Sequence, residues 1–293
     1  MNSPNKNLIN IHVAVFLFGF SSLFARLINQ NAIVITFGRI FFSFVFLFVF
    51  AWLNKLELKL NSKKDYFLIT VSGIILAIHW FCFIQSIQFS TVAIGTVTFS
   101  TFPLFTSFLE PVFFKEKLKS RSVICSIIML AGIFILAQNI GPRTEGIKEP
   151  IQKMYGIIVG LVSGVAYAIL SLFNRSFSAK YNSETIIFYE QLASAIILLP
   201  FVFIVKPAVP VKDLLLLAVL GIVFTAIAHA LFVKGLAHVK VSTAGIISGL
   251  EAVYSIVLAS VLLKEIPMMN EIIGGVIILI VAFYMTIMNL EKQ

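Results

Sequence analysis

Apolar runs of about 18 to 25 residues recur along nearly the whole chain, broken by short segments rich in charge, Gly and Pro. At about 1.5 Å per residue, each run is long enough to cross a hydrocarbon layer about 30 Å thick. Backbone in lipid finds no water to bond, so such runs must close their hydrogen bonds internally, as helices. They fall near 11–28, 33–53, 66–87, 91–114 and 119–137, then near 154–177, 183–205, 211–235, 240–263 and 268–289. The fold class this predicts is an all-α membrane protein of ten transmembrane helices. Composition agrees: 12% of residues are charged and 59% hydrophobic, against about 25% charged in a soluble domain.

Several function classes drop out. The +9 formal charge sits between the apolar runs, where basic residues set orientation, so no nucleic acid is expected as a partner. No Gly-rich phosphate loop follows a strand, no nucleophile stands in a recognisable motif, and no Cys, Asp or Glu stands at ligand spacing beside a histidine. The chain is therefore not expected to be an enzyme, to hold a metal or to need a cofactor. Cys82 and Cys125 lie inside apolar runs and read as small buried hydrophobes. The first run follows Lys6 without a convincing cleavage site, so it is expected to stay as helix 1.

With the N-terminus inside, the cytoplasmic segments hold 14 Lys and Arg and the opposite segments seven, with Arg39 inside helix 2. The positive-inside rule thus predicts a multi-pass protein of a prokaryotic cytoplasmic (inner) membrane with both termini cytoplasmic.

An internal echo organises the chain. "EPVFFKEKL" at 110–118 and "ASVLLKEIP" at 259–267 place Glu116 and Glu265 149 residues apart, and the same offset lays "SLFAR" at 22–26 on "SLFNR" at 171–175. Two matches at one offset point to a duplication. Residues 1–137 then form a first five-helix repeat, 138–153 ("QNIGPRTEGIKEPIQK") a linker, and 154–293 a second repeat. Five is odd, so the second copy enters from the opposite face and the repeats are inverted. That arrangement recurs in secondary transporters that bind substrate near mid-membrane.

The five-plus-five plan, the "STVAIGTVTFSTFPLFTSFLEPVFFKEKL" of helix 4 and its echo "VSTAGIISGLEAVYSIVLASVLLKEIP" resemble the EamA type of the drug/metabolite transporter superfamily over nearly the whole chain. The resemblance implies a secondary transporter, mostly an exporter of amino acids and other small metabolites, with some importers among related members. The offset puts Ala252 where Pro103 stands, so helix 9 lacks the proline of helix 4.

Glu251 is the leading site candidate. It lies about 16 Å into helix 9, and an ionisable group at that depth costs roughly 2.5 to 3.5 kcal/mol unless a partner or cavity compensates. It could hold a substrate ammonium or carry a coupled proton, or it could be a structural carboxylate. Tyr254, three residues on, shares its face and adds a ring for a cation. His79, Trp80 and His229 sit deep in helices 3 and 8 at nearly repeat-related positions, as cavity-lining groups or as structural ones. Tyr167 and Asn174 lie seven apart on one face of helix 6; the resemblance implies that they complete a cavity with helices 1, 3, 4, 8 and 9. Pro103 removes a backbone hydrogen bond in helix 4, with the Ser100 and Thr101 hydroxyls beside it, and Pro103 and Glu110 are the gating candidates. Arg39 and Glu190, on helices 2 and 7, could be neutralised by partners or reach an interface by snorkelling, and Arg39 could instead counter a substrate carboxylate. Glu116 and Glu265 end their helices beside Lys115 and Lys264 as interfacial stops. The Gly156, Gly160, Gly164 and Gly245, Gly249 series read as close-packing faces.

Three functions follow. The first is a secondary active exporter of amino acids or related small metabolites by alternating access, with protons as the candidate coupling ion. The second imports a small cation such as a quaternary amine, caged by Glu251 with Trp80, Tyr167 and Tyr254. The third is a non-transporting membrane scaffold or receptor. A small-molecule substrate and membrane lipids are the expected partners, and either a monomer or a homodimer suits ten spans with two Gly-rich faces.

Overall fold

The computed structural model describes residues 4–114, 120–138, 150–237, 239 and 241–290. Among these, every regular element is helical: α1 Pro4–Ser21, α2 Phe24–Leu27, α3 Ala32–Leu53, α4 Lys63–Phe89, α5 Val92–Phe99, α6 Phe102–Phe114 and α7 Ser120–Ala137 in the first part. The second part holds α8 Pro150–Ser178, α9 Ser183–Val205, α10 Val211–Gly221, α11 Ala228–Leu236, α12 Val241–Leu258 and α13 Met269–Leu290. Six stretches are long and apolar enough to cross a membrane: Asn7–Leu27, Ala32–Leu53, Lys63–Phe89, Pro150–Ser178, Ser183–Val205 and Val211–Leu236. Three shorter apolar ones are Val92–Thr106, Ile247–Leu263 and Met269–Val281.

Local chemistry sets the ends. Asn31, Ser62 and Thr91 cap α3, α4 and α5, each side-chain oxygen accepting from the backbone N–H three residues on, at 3.0 to 3.1 Å. Lys55, Lys206 and Lys264 follow α3, α9 and the helical stretch 241–263 with positive φ, in the left-handed region that ends a helix. Of the expected linker, 139–149 lies outside the described residues and 150–153 belongs to α8, with Pro150 at the first helical position, where its missing N–H is no loss.

The expected helix 4 is two helices. α5 stops at Phe99 and α6 starts at Phe102; Pro103 has no N–H to give the Phe99 carbonyl, so the helical ladder opens there. The stretch 211–236 is also irregular: a π-helical segment, Ile222–Ile227, separates α10 from α11. A second one, Ala259–Leu263, ends α12, which runs unbroken through Ala252.

Packing places α4 at the centre, against α8 and α9, while α1 lies against α11 and α12 and α13 against α7. Gly160 shows why α8 carries glycines: a Cβ there would come within 2.0 Å of the Thr98 hydroxyl of α5. Outward-facing side chains such as Trp52, Phe67, Phe134, Ile204 and Val261 are exposed and apolar, as lipid contact requires.

The connections gather at two ends. At one, Tyr181 accepts from the Asn61 N–H and donates to Asp65 at 2.8 Å, with Lys180 3.4 Å from the same carboxylate. At the other, Gln30 reaches Ala208 and Asp213, Gln88 reaches Gln30, and Arg26 reaches Ser90 and Glu265.

Candidate functional site

Helices α1, α4, α5, α8, α11 and α12 converge on an enclosed cavity lined by Phe18, His79, Trp80, Phe83, Phe99, Tyr167, His229 and Glu251. The centre of a water molecule can occupy about 10 Å³ of it, room for about one water. The molecule is therefore closed around its site, and anything larger needs the helices to part.

Five of the sequence candidates meet there: Glu251, His79, Trp80, Tyr167 and His229. Glu251 is 5% exposed, with no hydrogen bond and no ion pair among the described residues. Both ring nitrogens of His229 and the indole nitrogen of Trp80 are buried without a hydrogen-bond partner. His79 differs. Its Nδ1 meets the Ser163 hydroxyl at 2.9 Å and the Ser163 carbonyl at 3.2 Å. A carbonyl only accepts, so that bond puts the proton on Nδ1 and leaves Nε2 as the acceptor. The His79 ring stacks obliquely on Trp80 and Tyr167, at centroid distances of 4.6 and 4.8 Å.

Arg39 gives the site a feature that sequence reasoning undervalued. It is fully buried, and its guanidinium carbon lies 3.3 Å from the centroid of the Trp80 ring. Nε donates to the Thr225 hydroxyl at 3.0 Å and Nη2 to the Ser21 hydroxyl at 3.1 Å, while Nη1 has no partner. Arg39 is neither paired with a carboxylate nor at an interface. It is held by a π face and two hydroxyls, a site that suits the weakly hydrated guanidinium. Thr225 stands in the π-helical segment and donates its own hydroxyl hydrogen bond to the Leu220 carbonyl. The sequence singled out Arg39, but its seat on Trp80 and Thr225 was not legible, because irregular helix cannot be read from an apolar run.

Other candidates lie elsewhere. Tyr254 packs edge-on against Phe16 of α1, outside the cavity, because α1 wedges beside it: Gly19 faces the Tyr254 Cβ. The Ser100 and Thr101 hydroxyls turn back onto the Thr96 and Thr98 carbonyls of their own helix, at 2.8 and 2.7 Å. Asn174 lies beside Glu190, away from the cavity. Pro103 is buried at the start of α6. The Glu110 side chain and all of Glu116 lie outside the described residues. Glu265 pairs with Arg26 at 3.4 Å rather than resting beside Lys264, and its carboxylate also accepts from the Val92 N–H that opens α5.

A buried carboxylate, two histidines and an indole N–H thus meet inside an aromatic shell. The model of the EamA-like transporter family matches the chain twice, over residues 6–138 and 154–287. The chain belongs to the EamA-like transporter family. It is a multi-pass transporter, not an enzyme. An uncharacterized transporter of Archaeoglobus fulgidus is 25% identical over 271 residues, covering 92% of each chain. The S-adenosylmethionine uptake transporter of Rickettsia felis is 24% identical over 245 residues, 84% of this chain and 79% of that one. A solved crystal structure shares the fold at a TM-score of 0.69 and 17% identity, covering 98% of this chain and 99% of that one.

Proposed function

We propose that this EamA-like chain is a secondary active transporter that takes up a small metabolite bearing an ammonium or sulfonium centre, binding it at Glu251 within the aromatic cavity. The observation that carries this reading is the pairing of an unpartnered, buried carboxylate with the faces of Trp80, Phe83, Phe99 and Tyr167. Anion plus π faces is the chemistry that selects an organic cation over water or an inorganic ion. Relatives named for S-adenosylmethionine uptake support it, since that compound carries both a sulfonium and an amino-acid group.

Export of amino acids is the second reading. Arg39, on the Trp80 ring, supplies a positive field for a substrate carboxylate, which favours a zwitterion. The two readings differ in direction and share Glu251.

The site is reached by alternating access in this proposal. A cavity too small for substrate, closed at both ends by polar contacts, supports it. Two separate matches to the family model support the ten-helix plan of two inverted five-helix repeats, and the excess of Lys and Arg in the segments assigned to the inside supports cytoplasmic termini.

The test is flux in proteoliposomes of labelled S-adenosylmethionine, quaternary amines and amino acids, with and without an imposed pH gradient, for the intact protein and Glu251→Gln. Concentrative uptake of a cationic member, lost in the variant, is the expected result. Efflux of amino acids alone would select the second reading. Equal flux in both proteins would reduce Glu251 to a structural role.

A further inference from the structure

Among the described residues, the most deeply buried carboxylate lies outside the cavity. Glu190 on α9 is 0% exposed. Ser72 of α4 donates its hydroxyl to one carboxyl oxygen, and the other oxygen, Oε2, is buried without a partner. The Asn174 amide of α8 also donates to this carboxyl, while its own Oδ1 is buried and unpartnered. A fully buried carboxyl oxygen with no donor and no cation beside it is an arrangement that a proton on Oε2 resolves.

No counter-ion offers an alternative. No ion pair among the described residues reaches Glu190. The helices against α9 are α3, α4, α8 and α11. On them, Arg39 is held by Trp80, Ser21 and Thr225; His79 and His229 belong to the cavity; and Asp65 is engaged by Lys180 and Tyr181. Arg175 adjoins Asn174 but is turned about 100° round α8. Tyr167 on α8 is the titratable group that feels Glu190, and it feels Glu251 too. A lone carboxylate so placed would bear the desolvation cost of a charge with nothing to offset it.

Position gives the group a use. Tyr167 lines the cavity, and Asn174 lies two turns further along the same face of α8. In the other direction, Ser72 is about 10 Å along α4 from Asp65, at the end of the bundle where Tyr181 and Lys180 gather. Glu190 thus lies between the cavity and that end.

We propose that Glu190 is a second protonation site: a neutral carboxylic acid in this closed state, which exchanges its proton between the Asp65 end and the cavity, by way of Tyr167, as the helices around it part. Its service as the coupling site rests on the transport reading above; its protonation does not.

The experiment is infrared difference spectroscopy on the purified protein, reading the carbonyl stretch of protonated carboxylic acids and its shift on exchange into deuterated water. The expected result is a band at neutral pH that Glu190→Gln removes with the melting temperature unchanged, because the amide repeats the hydrogen bonds of the neutral acid. Glu190→Gln is also expected to abolish pH-driven accumulation of labelled S-adenosylmethionine while keeping its exchange across the membrane. A spectrum unchanged by Glu190→Gln, or a variant that melts as low as Glu190→Ala, would mean an ionised structural carboxylate and overturn the proposal. A band that disappears when potassium is replaced by sodium would make this a metal-cation site and overturn it equally. If no member of the flux panel moves but the band behaves as described, the transport reading fails and the protonation of Glu190 stands.

Discussion

Arg39 and Trp80 form the least conventional pair in the molecule. The guanidinium is fully buried, has no carboxylate at ion-pair distance among the described residues, with Glu251 acting on it from further off, and keeps one nitrogen unbonded. The Trp80 ring at 3.3 Å and the two hydroxyls stand in for the missing anion. A desolvated cation on an aromatic face is stabilised by about 2 kcal/mol, whereas replacing a buried charge by an apolar chain of similar volume is often neutral. Trp80→Leu is therefore expected to lower the melting temperature more than Arg39→Met, because it leaves the charge without its platform. In the double variant the Trp80→Leu penalty shrinks by about 2 kcal/mol, measured as the coupling energy of a double-mutant cycle from unfolding in detergent. Additive effects would mean that the stacking contributes nothing.

At the scale of elements, the contact between Arg26 and Glu265 ties the end of the first span to the chain after α12 and, through the Val92 N–H, to the start of α5. Both residues belong to the motifs that the sequence repeats, so their individual prominence was legible. Their meeting was not, because the echo relates Arg26 to Arg175 and Glu265 to Glu116 within an alignment of copies and says nothing of contacts between them. The same limit applied at Tyr254: three residues after Glu251 puts it near one face, but the wedge of α1 decided which side of that face is cavity. Glu251, His79, Trp80 and His229 were legible because polar groups deep in apolar runs are costly enough to need a reason. The π-helical segment that aims Thr225 at Arg39 left no trace in hydropathy. Arg26 and Glu265 are both partly exposed, so the pair is worth about 1 kcal/mol at most, or about a fivefold change in the ratio of closed to open forms. With Cys82 and Cys125 replaced by Ala and a reporter Phe83→Cys in the cavity wall, Arg26→Gln or Glu265→Gln is expected to speed labelling by a water-soluble thiol reagent by about that factor. The exchanged pair, Arg26→Glu with Glu265→Arg, should restore slow labelling.

For the whole molecule, the two ends of the bundle carry an orientation that the contacts alone leave unsigned. One end joins the segment before α4 to the turn between α8 and α9, through Asn61, Asp65, Lys180 and Tyr181. The other joins the segments after α2 and α9 to the start of α5 and to Glu265. In the ten-helix inverted plan proposed above these are opposite faces, and the proposal makes the first cytoplasmic. The sign proposed rests on charge: under that plan the sequence assigns 14 Lys and Arg residues to the first face and seven to the other, and it is short basic loops that resist translocation. Single cysteines at Lys59 and Lys180, in the protein lacking Cys82 and Cys125, should resist an impermeant thiol reagent in intact cells and react once the membrane is opened. Cysteines at Lys206 and Ile266 should react from outside without that step. Labelling of all four from one side would break the inverted plan, because it would put both ends of α4 and both ends of α9 on the same face; a clean reversal would keep the plan and overturn the orientation.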